Sequence, residues 1–236
     1  MKILIIAAHP DDEILGMGGT IRKYVKNDHQ VKIVIMATGI FARRSENYQN
    51  STRYQTNQIT SKSMEKELHD LRKDAEKASR LLGVADIEFL DFPDNEMDSV
   101  SLLKIVKTIE KEISIVKPDK IYTHHYNDLN IDHRVIFNAT LTACRPVDSV
   151  VKEIIAFEVL SSTEWNYPAK FNPNYFVNIK TQLSAKIKAM QAYKNEIRDF
   201  PHPRSVENLR NVAERWGSVS GNTAAEAFEI IRKIEQ

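Results

Sequence analysis

The alternation of short apolar runs with amphipathic stretches is the feature that most constrains the fold of this chain. Residues 2–8 (KILIIAA) form a continuous run rich in β-branched side chains, which is typical of a strand buried on both faces of a parallel sheet. Further strands are predicted at residues 31–37, 87–90 and 120–123, with helical apolar spacing between them. This order predicts a Rossmann-like α/β fold, with a doubly wound, mostly parallel sheet and helices on both faces.

The remainder of the chain predicts a small C-terminal extension of this core. Strands are expected at residues 154–160 and 175–179, where they would form a hairpin or an edge. Helices are expected around residues 183–190, 204–216 and 223–234. A chain of 236 residues, 42% of them hydrophobic, can bury one sizeable core. We therefore expect one domain, residues 1–236, with its core in residues 1–160 and later strands and helices in residues 161–236.

Charge and composition exclude several classes of partner. The 33 basic and 32 acidic residues leave a net charge of +1, so no overall field would attract nucleic acid or an anionic membrane. No signal peptide is evident, and no run approaches the roughly 18 apolar residues of a membrane span. The one cysteine, Cys144, excludes an internal disulfide and is expected to be buried. These features predict a cytoplasmic protein with a small-molecule substrate, and they leave a homo-oligomer open.

Residues 9–13 (HPDDE) directly follow the first strand. Ligands bind beyond the carboxyl ends of the strands in an open α/β sheet, so this segment lies where chemistry is expected. One imidazole and three carboxylates this close together repel one another unless a cation neutralises them, and a divalent metal is the natural cation. Alternatively, Asp11 or Asp12 only caps the next helix. Residues 16–19 (GMGG) lack the order of a dinucleotide loop and are expected to let that helix pack closely against the sheet.

A second polar segment, residues 122–134 (YTHHYNDLNIDHR), follows the fourth strand. Both segments end strands of the same sheet, so His133 can provide a third ligand, and three protein ligands are typical of a catalytic zinc site. Asp132 can hold the neighbourhood of His133 in place or cap the following helix. His124 and His125 stand at a strand end with one side chain inward and one outward, and either can contact a substrate.

Three motifs resemble the PIG-L/LmbE-like family of metal-dependent (zinc) N-acetyl-sugar deacetylases: AHPDDE at residues 8–13, GMGG at 16–19 and DHR at 132–134. The resemblance implies an enzyme that removes acetyl groups from amino sugars such as N-acetylglucosamine conjugates. Zinc is the metal it implies, with Fe²⁺ or another divalent ion left open.

The resemblance also implies roles for individual residues. His9, Asp12 and His133 correspond to the metal ligands, and Asp11 corresponds to the general base that activates a metal-bound water for attack on the acetyl carbonyl. Relatives often carry a histidine three residues before the second metal histidine, where this chain has Asn130. An asparagine can donate a hydrogen bond to an oxyanion, but it cannot protonate the departing amine.

The proton donor therefore has three candidates. Asp11 can carry the proton in both directions, or the missing imidazole can be replaced by His125 or by His202, which lies in the proline-flanked segment FPHPR.

Four residues are predicted to contact the substrate. Arg72 and Asp94 match sugar contacts of the family, with surface ion pairing as the alternative, and Tyr126 and Asn130 complete the set. The polar residues 42–63, predicted to form a long loop, and the aromatic stretch 161–176 are expected to form the rim around them.

Two other functions fit the same residues. His9 and Asp11 together with His133 also match the two-histidine, one-carboxylate triad of non-haem iron(II) oxygenases, although those enzymes place the triad in an all-β fold. A carbohydrate-binding protein that has kept the fold but lost catalysis is the second alternative.

Overall fold

The described part of the chain contains seven strands and six α-helices, together with two short 3-10 helices. The structure is a computed structural model that describes residues 1–40, 62–147, 150–168 and 170–235. The strands are β1 (Lys2–Ala7), β2 (Gln30–Ala37), β3 (Asp86–Phe92), β4 (Lys120–His124), β5 (Glu153–Phe157), β6 (Tyr175–Asn178) and β7 (Ala225–Lys233). The helices are α1 (Asp12–Lys26), α2 (Lys62–Leu82), α3 (Leu102–Val116), α4 (Ile131–Ala143), α5 (Leu183–Met190) and α6 (Val206–Val219). The predicted polar loop at residues 42–63 lies outside the described residues, except for its last two, which begin α2.

The strands form one sheet in the order β3-β2-β1-β4-β5-β7-β6. Strands β1 to β5 pair in parallel, whereas β7 runs antiparallel to both of its neighbours. From β1 the chain first adds β2 and β3 on one side and later adds β4 and β5 on the other. β1 and β4 therefore lie side by side where the strand order reverses, which is the place where open α/β sheets bind ligands.

Side chains of β1 alternate between two hydrophobic cores. Ile3 and Ile5 pack in one core with residues of α1, α2, α5 and α6, and Leu4 and Ile6 pack in the other with residues of α3 and α4. All four side chains are completely buried, in agreement with the continuous apolar run. Helices thus cover both faces of the sheet, and the predicted α/β class is confirmed.

The last strand corrects the prediction for residues 223–234. Alanine and glutamate favour a helix there, but the prediction of a helix is wrong, because Ala225–Lys233 forms β7. The strand pairs with β5 on one side and with β6 on the other, and Phe228 is completely buried. Pairing and burial override the local helix preference. β5 and β6 consequently do not form a hairpin with each other, and β6 and β7 extend the same sheet.

Glycines let the start of α1 approach the sheet, as predicted. A Cβ atom on Gly16 would lie 2.8 Å from the carbonyl oxygen of Glu158, and one on Gly19 would lie 2.9 Å from Ile179. Both distances are too short for any larger residue to fit without moving its neighbours.

Two simpler expectations can also be checked. Cys144 is completely buried. Within the described ranges, none of the helices combines the length and the apolar character that crossing a membrane requires.

Candidate active site

The loop between β1 and α1 has an unusual backbone conformation at Asp11. Its φ angle is 106°, a value that costs a residue with a side chain on the order of 1–3 kcal/mol. The N–H of Asp11 donates to the Glu13 carboxylate (3.1 Å), and the Tyr193 hydroxyl donates to the same carboxylate (2.6 Å). A residue distant in sequence thus helps to fix the strained loop, and strain of this kind is common at functional sites.

Three predicted metal ligands come together at the ends of β1 and β4. Asp12 Oδ2 lies 3.3 Å from His9 Nδ1 and 3.3 Å from His133 Nε2, and the two nitrogens are 3.4 Å apart. A tetrahedral ion with bonds of about 2.0–2.1 Å separates its ligand atoms by about 3.3–3.4 Å. The three atoms therefore fit one face of a zinc tetrahedron, and two imidazoles with one carboxylate are a donor set that zinc prefers.

Asp132 orients His9 from the other side of its ring. Its Oδ2 atom lies 3.0 Å from His9 Nε2, and its carboxylate also accepts the backbone N–H groups of Asn95 (2.6 Å) and Met97 (2.9 Å). The sequence suggested that Asp132 supports the neighbourhood of His133, but its contact is with His9. Because this carboxylate is fixed by two backbone donors, it sets the ring so that Nδ1 faces Asp12 and His133.

Asp128 does the same for His133 and was missed in the sequence. Its Oδ1 atom lies 3.0 Å from His133 Nδ1, and its carboxylate accepts hydrogen bonds from the hydroxyls of Ser162 and Thr163 and from the N–H of Asn130. An acidic residue in the loop before His133, a predicted metal ligand, was the available signal, since histidines that bind metals usually contact a carboxylate through their second nitrogen.

His124 packs against His133 but is not one of the three predicted ligands. Its ring stacks on His133 with the centroids 3.8 Å apart, and its Nε2 accepts the N–H of Ala8 (2.7 Å). Burial, and after it the neighbouring charge of His133, lowers the pKa of His124 well below its usual value. A neutral His124 therefore ties the end of β1 to the end of β4.

The surrounding charges favour a cation at the centre. Burial by itself lowers the pKa of His133, but Asp12 and Asp128 outweigh it and raise that pKa to about 9. The pKa of His9 is likewise raised against the effect of burial, by hydrogen bonds to Asp12, Asp132 and Asp94. The carboxylates around the two rings thus stabilise positive charge, whether it is a proton or a metal ion.

A family model described as PIG-L, GlcNAc-PI de-N-acetylase, matches residues 4–144, a range that holds all three of these ligands. The chain belongs to the PIG-L family.

Individual relatives of this PIG-L protein include enzymes named as deacetylases. It is 24% identical over 241 residues to diacetylchitobiose deacetylase of Thermococcus kodakarensis, an alignment that covers 99% of this chain and 84% of the relative. The N,N'-diacetylchitobiose deacetylase structure from Pyrococcus horikoshii has a TM-score of 0.73, with 24% identity over 98% of this chain and 84% of that one. The 4-carboxy-2-hydroxymuconate hydratase of Pseudomonas putida has a TM-score of 0.74, with 17% identity over 100% and 98% of the two chains. Since a hydratase and a deacetylase share the fold, the fold alone does not decide the reaction.

Asp11, the predicted general base of this PIG-L protein, lies on the loop between β1 and α1 and contacts Arg204. Arg204 Nη1 lies 2.9 Å from Asp11 Oδ2. Burial raises the pKa of Asp11, Arg204 opposes this, and Glu196 adds to the rise, so that the pKa ends well above its usual value. Arg204 lies two residues after His202 in the segment FPHPR. The sequence analysis predicted a role for the histidine and none for the arginine.

Neither predicted donor histidine joins the ligand triangle. His125 is buried, with Nε2 3.0 Å from the Glu229 carboxylate and Nδ1 accepting the N–H of Asn127 (3.2 Å). His202 Nδ1 accepts the N–H of Arg204 (3.1 Å), and its ring meets Trp165 edge-on with the centroids 6.1 Å apart. His125 therefore faces β7, and His202 lies in the same segment as Arg204, which contacts Asp11.

The predicted substrate contacts take separate positions. Arg72 pairs with the exposed carboxylate of Asp91, in agreement with the alternative of a surface ion pair. Asp94 is buried with its Oδ1 atom 3.1 Å from His9 Nε2. Tyr126 is partly exposed, and its hydroxyl donates to Glu229 (3.3 Å).

Asn130 caps α4. Its Oδ1 accepts the N–H of Asp132 (2.8 Å), and its Nδ2 donates to Asn95 Oδ1 (2.8 Å). Both ends of this amide are therefore occupied by bonds within the protein.

Proposed function

We propose that this protein is a metal-dependent N-deacetylase that hydrolyses the acetamide of an N-acetylated amino sugar of the N-acetylglucosamine type. The observation that carries the proposal is the triangle of His9 Nδ1, Asp12 Oδ2 and His133 Nε2, with Asp11 one residue away on the same loop. Membership of the PIG-L family and relatives named as deacetylases support the same reaction.

Zinc is the proposed metal, because the spacing and chemistry of the three donors suit a small tetrahedral ion. When bound, such an ion acts as a Lewis acid on the carbonyl oxygen and lowers the pKa of a coordinated water. Fe²⁺ offers an alternative with a similar preference for imidazole and carboxylate, and metal analysis of the protein purified without added metal distinguishes the two.

Asp11 is proposed as the general base through its Oδ1 atom. Arg204 engages Oδ2, and among the residues whose positions are described none hydrogen-bonds to Oδ1. A carboxylate oxygen without a protein donor can accept the proton of the attacking water. The same atom can return the proton to the leaving amine, which supports Asp11 over His125 and His202 as the proton carrier. Asn130 is an unsuitable donor because its amide cannot ionise and is already engaged.

The residues that line the substrate site, the domain organisation and the cellular location are also proposals. Asp94, Tyr126 and His202 are candidates for lining the substrate site, whereas the pairing of Arg72 with Asp91 supports it less well. We also propose a single domain over residues 1–236 with a doubly wound parallel core, since the chain builds outward from β1 in both directions. A cytoplasmic location rests on the lone cysteine.

The two alternatives are less well supported. The oxygenase interpretation used Asp11 as the carboxylate ligand, but the Asp11 side chain contacts Arg204. The fold is also α/β, whereas those oxygenases have an all-β fold. A binding protein without catalysis has no need of a base in a strained conformation beside a metal site.

Release of acetate from N-acetylglucosamine, its β-1,4-linked dimer and nucleotide-linked forms is the measurement that tests the proposal. We expect activity that a chelator removes and zinc restores. Asp11→Asn should lower kcat by on the order of 10²–10⁴-fold while zinc still binds, since general base catalysis contributes about that much. Asp91→Asn, an exposed carboxylate outside the triangle, is the matched control and should keep wild-type activity. Stoichiometric zinc without acetate release from any of these sugars would refute the proposed function.

A further inference from the structure

The geometry points to Arg204 as the positioning residue that holds the Asp11 carboxylate ready for the reaction. This inference rests on the proposed role of Asp11 and adds a part of the machinery that lies outside the matched range, residues 4–144. Arg204 is separated from Asp11 by 193 positions in the sequence.

Arg204 makes three contacts with separate parts of the chain. Its Nη1 atom donates to Asp11 Oδ2 (2.9 Å) and to Glu196 Oε2 (2.7 Å), and its Nε atom donates to Ser161 Oγ (2.7 Å). Glu196 is 1% exposed and Asp11 is 2% exposed. The guanidinium is therefore clamped between two buried carboxylates and a hydroxyl, and it cannot turn without breaking several charge-assisted hydrogen bonds.

The clamp leaves one specific atom of Asp11 available. Arg204 takes Oδ2, and the N–H of Asp11 is taken by Glu13, so that side chain and backbone are each fixed from one side. Oδ1 has no hydrogen bond from the described residues. A base that must meet a water molecule in one orientation benefits from such fixing, since a misplacement of about 1 Å can lower a rate on the order of 10²-fold.

Ser161 connects this clamp to the second metal histidine. The neighbouring Ser162 donates its hydroxyl to Asp128, whose carboxylate lies 3.0 Å from His133 Nδ1. The short segment from 161 to 162 thus contacts both the residue that holds Asp11 and the residue that orients His133. Arg204 is the part of this arrangement that carries the positive charge, and a lysine could not donate to all three partners from one compact ammonium group.

The test compares Arg204→Ala and Arg204→Lys with the wild type in acetate release. We expect Arg204→Ala to lower kcat on the order of 10²-fold with KM nearly unchanged, and Arg204→Lys to fall between it and the wild type. Added guanidinium at millimolar concentration should restore part of the kcat of Arg204→Ala. The control is Arg198→Ala, which removes an arginine of the same loop whose hydrogen bonds, among the described residues, go to the backbone carbonyls of Asn195 and Ile197.

Two measurements do not depend on activity. Zinc affinity should be unchanged in Arg204→Lys, which keeps the positive charge near Asp12, and Arg204→Ala, which removes that charge, should bind zinc no more weakly than the wild type. Crystal structures of Arg204→Lys and of the wild type should differ in the position of the Asp11 carboxylate. If Arg204→Ala does not fold, Arg204→Lys decides the question through the same kcat and the same crystal structure.

Several results would overturn the inference. One is a wild-type kcat in either Arg204 variant. Another is an effect confined to a higher KM, which would make Arg204 a substrate contact. A third is an equally large decrease of kcat in Arg198→Ala. A wild-type protein inactive on every sugar would instead refute the proposed deacetylase function, and the crystal structures would still test whether Arg204 positions Asp11.

Discussion

Removing the negative charge of Asp128 should lower the affinity of the site for a metal ion, and the contacts of Asp128 indicate by how much. In Asp128→Asn, an amide oxygen in the place of Oδ1 keeps the contacts to Ser162, Asn130 and His133. The new amide group then faces the hydroxyl of Thr163, which can accept its hydrogen bond. The geometry is preserved, and the main loss is the negative charge opposite His133.

Residues that orient a metal histidine typically contribute about 10–100-fold to metal affinity. We expect Asp128→Asn to lie near the lower figure, a loss of about 1.4 kcal/mol in binding free energy. Asp128→Ala also removes the contact to the His133 ring at 3.0 Å, and we expect it to lie near the upper figure, a loss of about 2.8 kcal/mol.

The assay is zinc affinity measured by competition with a chromophoric chelator at neutral pH. Asp132→Asn should give a larger loss than Asp128→Asn, because both oxygens of Asp132 accept backbone N–H groups and the new amide group would face one of these donors. Asp91→Asn should give none, since the side chain of Asp91 is 74% exposed and pairs with Arg72. Wild-type affinity in Asp128→Ala would refute the reasoning that this carboxylate prepares His133 for the metal.

Two further predictions concern stability. Glu226→Gln should lower the free energy of unfolding by about 3–5 kcal/mol in urea, because the buried ammonium of Lys186 loses the negative charge of the carboxylate 2.7 Å away. Glu235→Gln, in an exposed pair, should have almost no effect, and an equally small effect of Glu226→Gln would contradict the argument. Burial raises the pKa of Glu158 from 4.5 to about 7, so its ionisation opposes folding increasingly as pH rises through that window. Glu158→Gln should therefore gain stability over the wild type between pH 4.5 and 7, by at most about 3 kcal/mol, and a difference independent of pH would show that Glu158 does not titrate as described.

The sequence was sufficient for the parts of the site that local patterns encode. A buried strand followed by HPDDE places His9 and Asp12 at a strand end, and the DHR motif at the start of α4 places His133 at another. Their meeting follows from the parallel sheet alone, because β1 and β4 are neighbours where the strand order reverses.

The residues that were missed act across long separations. Arg204 reaches Asp11 from 193 positions away, and Ser162 reaches Asp128 from 34 positions away. No local periodicity records such contacts, since they depend on how whole elements pack. β7 was misassigned for a related reason, because this run of alanine and glutamate forms a strand through its pairing with β5 on one side and β6 on the other.

The position of β7 also bears on the order in which the molecule can be completed. Until the chain has been made through Lys233, β6 has no partner in the sheet, and β5 presents an open edge on the side where β7 later pairs. Open edges of this kind invite pairing with other chains, so partly synthesised molecules are at risk of aggregation. Glu226, within the same strand, accepts the N–H of Gly19 in α1 across 207 positions. The helix that follows residues 9–13 is thus secured only when one of the last elements described arrives, and removal of β7 should lower the yield of soluble protein.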